Sequence, residues 1–151
     1  MQDRFELEAK MTLNRARDEA IRLNHDEVRS EHLLLSLLAD RRVPDLLVRM
    51  GLTKADIRSA LERAVERGPR LVIDDVDCQT EEIQEVFYST FEEVDGFGHT
   101  NARNPHLLLG LLKVPEGAAC QVLEELGASL DAARHEVLEF FVDLDEESGA
   151  A

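Results

Sequence analysis

Apolar residues recur along this chain at the spacing of helices, and alternation of the strand type is nearly absent. Phe5, Ala9, Leu13, Ala16, Ala20 and Leu23 fall three or four positions apart, which predicts an amphipathic helix of about five turns. A turn at Asn24, His25 and Asp26 ends it. Leu33, Leu34, Leu37 and Leu38 give the buried face of a second helix, with Ser30 as its expected N-cap, because a serine hydroxyl accepts from an unpaired first-turn amide. A third, short helix stops at Gly51, and Thr53 caps a fourth that runs to about Arg67 and closes at Gly68-Pro69.

The plan is then repeated. Ser30 to Leu38 reads SEHLLLSLL and Asn104 to Leu112 reads NPHLLLGLL, 74 positions later, and the same offset carries His25 onto His99. Further along, Leu46 to Val65 lies against Gln121 to Phe141, with Gly51 facing Gly127 and two extra residues in the second copy. Repetition at this length marks an internal structural repeat. In the second copy Thr80 starts the first helix, with Ile83, Phe87, Phe91 and Val94 on one face. Asn104 is the expected cap of the next, with Pro105 at its first position, and Ser129 caps the last helix after Gly127. Phe87, Phe91 and Phe97 read as core. The predicted fold is all-α: about eight helices in two pseudo-symmetric four-helix repeats sharing one core. Repeat one spans 3–68, a non-periodic linker 69–78, repeat two 79–142, and 143–151 forms a frayed acidic tail.

Composition narrows the function. The 151 residues, 44% hydrophobic and 32% charged, suit one folded domain. The net charge of −15 is unevenly distributed: residues 1–75 carry 14 bases against 15 acids, whereas 76–151 carry 3 against 17. Such a second half repels phosphate backbones, which argues against nucleic acid and for basic partners, although excess acid also serves solubility. The first residues show no basic segment followed by a long apolar one, so neither a signal peptide nor a membrane span is expected, and the expected location is cytoplasmic. Cys78 and Cys120 lack ligand spacing and read as buried or idle thiols, so no metal or other cofactor is expected. No nucleophile elbow, catalytic triad or Cys-His pairing can be placed, and an enzyme is not expected.

The twofold pattern of a long amphipathic helix, an HLLLxLL helix (EHLLLSLL in the first copy), a short helix ending at a glycine (Leu-Gly in the second copy) and a final helix resembles the Clp N-terminal domain in its double-repeat form, over roughly residues 3–142. The phrase EGAACQVLEELGASLDAARHEVLEFF is especially similar to the second half of that family. The resemblance implies a non-catalytic module that binds substrates and adaptors at the front of Hsp100-type unfoldases of the ClpA and ClpC kind. Its partners would be proteins or peptides: Clp substrates, adaptors or a Clp ATPase. No GxxxxGK[ST] phosphate loop is present in the sequence. The chain therefore reads as the receptor domain of a longer unfoldase or as a free-standing relative, the acidic stretch after the last helix favouring the latter. A free-standing regulator or decoy that docks a basic partner through the acidic second repeat is the alternative.

The resemblance also singles out Glu31. In the ClpC branch the glutamate of the EH phrase contributes to a pocket for phosphorylated arginine, a carboxylate pairing with the guanidinium while helix N-terminal amides suit the phosphoryl oxygens. Ser30, His32 and Arg29 stand beside it, Arg29 as a candidate for the phosphoryl group. Glu31 is also explained, without any ligand, as an acid placed at the positive end of a helix dipole, worth about 0.3–1 kcal/mol, and Arg29 as a solvated side chain, and these are the readings the residues alone favour. His32 and His106 read as structural hydrogen-bonding residues, since no second ligand follows at helical spacing, and His25 and His99 as stabilisers of equivalent turns. Pro105 in place of a second glutamate makes a twin pocket doubtful, so the recognition is expected in the first repeat only.

Overall fold

The computed structural model describes residues 4–68 and 75–149, with side chains through residue 147. Among them are eight helices: α1 (Leu7–Arg22), α2 (Ser30–Leu37), α3 (Val43–Arg49), α4 (Lys54–Ala64), α5 (Glu81–Gly96), α6 (Asn104–Leu112), α7 (Ala118–Glu125) and α8 (Leu130–Gly149). No strand occurs among the described residues, which contain only two isolated bridges. The fold is all-α.

The two leucine-rich phrases form the centre. Every residue of α6 is buried, and so is every residue of α2 except Glu31, which is half-buried. Long helices flank them within each repeat, α1 on α2 and α5 on α6, while the shorter ones cross over, α3 packing on α8 and α4 on α7. One continuous hydrophobic cluster results. Matching positions adopt matching conformations: Asn24 and Gly98, 74 apart, are both left-handed at φ 59° and 73°, and the helix stops Gly51 and Gly127 sit at 83° and 101°. Left-handed backbone favours glycine and tolerates asparagine, so these four residues are where the sequence meets the turn geometry without strain.

The segments ahead of α1 and α5 also cross between repeats. Phe5 bridges Ala102, Glu6 N–H donates to Ala102 O at 2.9 Å, and in the other direction Val28 N–H donates to Asp77 O at 2.8 Å. Val76 is buried and Asp77 is thus part of the structure, whereas residues 69–74 of the expected linker lie outside the described residues.

Thr53, Thr80 and Ser129 accept from the amides of Asp56, Ile83 and Ala132, as caps at those positions require. Ser30 and Asn104 are not caps. Each is the first residue of its helix, and the caps are Arg29 and Arg103, whose own N–H groups donate to Nδ1 of His32 at 2.9 Å and His106 at 2.8 Å. A histidine three residues into the helix has replaced the Glu or Gln of the usual capping box, which moves the boundary one residue upstream and puts Pro105 second. The expected tail is helical as well: α8 continues to Gly149, with Leu144 packed on the core and no Gly or Pro before that point to stop it.

Candidate functional site

Glu31 lies in an open cleft of about 480 Å³ between the first residues of α2 and the end of α4, lined among others by His25, Glu27, Arg29, His32, Val65 and Ala118. Its carboxyl has no ion partner among the described residues. Burial and the neighbouring Glu82 carboxylate raise its pKa against the pull of its own backbone amide, Arg29 and His25. A half-desolvated, unpaired carboxyl at the side of a cleft is suited to a cationic group that brings its own hydrogen-bond donors.

The back wall of the cleft is a relay with fixed tautomers. The Arg29 amide is an obligate donor, so His32 accepts at Nδ1 and donates from Nε2 to His25 Nδ1 at 2.7 Å, and His25 Nε2 then donates to Glu66 O at 2.7 Å. The relay ties the end of α4 to the start of α2. His32 is fully buried, and its pKa is lowered to about 4 by burial and by the facing His25 and Arg29. It is held neutral.

Of the four residues expected at the site, the structure brings Glu31, His32 and Arg29 to one cleft and withdraws Ser30. The Ser30 hydroxyl, fully buried, accepts from the Ala119 amide at 3.3 Å across the repeat boundary, and its N–H donates to Glu82 Oε2 at 2.7 Å. The helix amide expected for phosphoryl oxygens is therefore held by a carboxylate from α5. Arg29 is exposed and engaged by Glu27 at 2.8 Å and more distantly by Glu82 at 3.8 Å.

Sequence reasoning missed Glu82, although a signal existed. Glu8 lies 74 positions before it and pairs with Arg103, itself 74 positions after Arg29. Reciprocal acid–arginine pairs thus clasp each α-helical start to the other repeat. It also missed Phe141, which stacks on His106 with centroids 4.7 Å apart and meets His99 edge-on at 4.6 Å. Val65 is its counterpart in repeat one and only lines the cleft. In the second repeat an aromatic ring stands beside the histidine pair, and Pro105 stands where the first repeat has Glu31.

A model of the Clp repeat N-terminal domain matches the chain twice, over residues 4–79 and 78–151. The chain belongs to the Clp N-terminal domain family. It is 32% identical over 98% of its length to the ClpC/MecB negative regulator of genetic competence of Bacillus subtilis, covering 18% of that protein. It is 34% identical over 99% of its length to chloroplastic ClpC1 of Oryza sativa, covering 16%. This Clp N-domain chain thus spans less than a fifth of the curated relatives it matches. In fold it is similar to the N-terminal domain of ClpD from Arabidopsis thaliana, with a TM-score of 0.71 at 24% identity over 93% of this chain and 99% of that one. The Hsp104 N-terminal domain of Candida albicans gives 0.76 at 17% identity, over 90% of both chains.

Neither thiol of the Clp N-domain is poised for chemistry. Burial and a hydrogen bond to Glu124 push Cys120 up to about 12, and burial raises Cys78. No cluster of three or more metal-binding side chains occurs among the described residues, nor any helix long and apolar enough to cross a membrane.

Proposed function

We propose that this chain receives protein substrates or adaptors for a Clp-type unfoldase, and that its first repeat reads an arginine-type side chain, phosphoarginine included, through the Glu31 cleft. The observation that carries the reading is the unpaired, half-buried carboxyl of Glu31 opening on a cleft of about 480 Å³. Its charge is unspent, and a guanidinium would satisfy it with two parallel hydrogen bonds. With the Ser30 amide held by Glu82, the phosphoryl end falls to Arg29, which would exchange Glu27 for the ligand. Phe141 and Pro105 restrict the site to one per chain.

Isothermal titration with a phosphoarginine peptide and its unmodified arginine twin tests this. Wild type is expected to bind the phosphopeptide at one site per chain. Glu31→Ala is expected to weaken both peptides about tenfold or more, the effect of removing one partner from a partly desolvated charge pair. Arg29→Ala is expected to weaken the phosphopeptide selectively. Absence of binding, or binding indifferent to Glu31→Ala, rules the site out.

A further inference from the structure

The two repeats also differ away from the Glu31 cleft. Between the end of α5 and the first turns of α8 lies a groove of about 550 Å³ that exposes mainly apolar surface, with Phe97 and Leu138 in its lining beside Gly96, His135 and Asp131. Leu138 is 48% exposed, and Val142, one helical turn further along α8, is 44% exposed. A side chain at Gly96 would meet nothing within 4 Å, so the groove is open there. The guanidinium of Arg134 at its edge is consumed by Glu93, with bonds of 2.6 and 3.0 Å.

The fold does not demand this apolar strip. At the matching places in repeat one stand Glu62 for Leu138 and Glu66 for Val142. The charge of the flanking helices reverses too. Helix α5 carries six acids and no base, and α8 seven acids and one arginine, whereas their counterparts α1 and α4 carry four bases to three acids and three bases to two. Apolar side chains left in water between two acidic helices match a segment with apolar anchors and basic flanks.

We propose that the α5–α8 groove docks an amphipathic basic segment of a partner protein, with Leu138, Val142 and Phe97 taking its apolar face and the carboxylates of α8 its lysines or arginines, since Glu92, Glu93 and Asp95 at the end of α5 are held by Lys113, Arg134 and Arg4. The site is distinct from the Glu31 cleft, and the two stand or fall separately.

The probe is a fluorescent synthetic helix with leucines at helical spacing and lysines elsewhere, compared by anisotropy with a twin bearing glutamate at every lysine. The lysine helix is expected to bind the full chain, more weakly as salt rises, and the glutamate twin not to bind. Leu138→Asp decides between groove and charge. It adds an acid at an exposed position, so an association that is only electrostatic would strengthen, whereas loss of a buried leucine anchor weakens binding about tenfold or more. Strengthened or unchanged binding in Leu138→Asp overturns the proposal. Loss in Glu31→Ala alone also overturns it while leaving the cleft reading intact. Sedimentation showing self-association that Leu138→Asp abolishes would assign the groove to a second copy and overturn it likewise.

Discussion

Acidification from pH 7 to pH 4 is expected to cost this domain on the order of 3 kcal/mol of folding stability from each of His32 and His106. Both rings are fully buried and accept a backbone amide at Nδ1, and burial, with the facing His25 and Arg29 or His99 and Arg103, lowers them to about 4 and about 3. Protonation at Nδ1 would set a donor against the N–H of Arg29 or Arg103 and uncap a central helix. These folded values lie below the ordinary 6.5, so the unfolded chain takes up protons first. The stabilisation is therefore complete above about pH 6.5 and is lost as pH falls toward the folded values. Two terms run the other way: the raised pKa of Glu31, and relief of self-repulsion as a net charge of −15 is titrated.

A variant separates these contributions. Asparagine places Oδ1 near where histidine holds Nδ1, so His32→Asn and His106→Asn keep an acceptor for the capping amide and lose the titration. Urea midpoints measured at pH 7, 6, 5 and 4.5 are expected to fall steeply in the wild type and to flatten in the double variant, which starts lower at pH 7 for want of the imidazole packing. Parallel slopes in the two proteins would show that the histidines are not the source.

How far the sequence discloses such features depends on whether the physics is local. Gly51, Gly127, Thr53, Thr80 and Ser129 act on backbone within a turn of themselves, and the structure uses each as its residue type requires. The leucine phrases were legible for the same reason, although α6 is buried on all sides and α2 nearly so. Ser30 misled because its hydroxyl has a better partner in Ala119, 89 residues away. Glu31 is singled out by the sequence, but the cleft it lines is not legible there, since the walls come from α4, the turn at Asn24 and Ala118. The difference between the repeats at this place is half legible: Pro105 shows the missing carboxylate, whereas Phe141 packs on a histidine pair 35 and 42 positions earlier in the chain.

The largest single-residue effect is expected where α6 lies closest to α5. A Cβ at Gly110 would overlap Thr90 Oγ1 and stand 2.8 Å from Val86 O, and Thr90 is committed, its hydroxyl donating to that same carbonyl at 2.7 Å. Gly110→Ser is expected to cost about 3 kcal/mol or more, in the range of overpacked cores with a displaced polar group. Repeat one shows the other solution to the same seam. There Ser36 stands in place of Gly110, Ala16 in place of Thr90 and Thr12 in place of Val86, and the Ser36 hydroxyl donates to Thr12 O at 2.6 Å. The hydroxyl at the seam comes from the central helix in the first repeat, where Ser36 bonds across to α1, and from the flanking helix in the second, where Thr90 bonds within α5 and lies against Gly110. Thr90→Ala alone leaves a small cavity and is expected to cost about 1–2 kcal/mol. Joined to Gly110→Ser it rebuilds the seam of repeat one, so the double variant is expected to be more stable than Gly110→Ser alone, with a favourable coupling of about 2 kcal/mol in a double-mutant cycle. Additive losses would mean that the backbone contact with Val86 O, and not the hydroxyl of Thr90, sets the distance between α5 and α6.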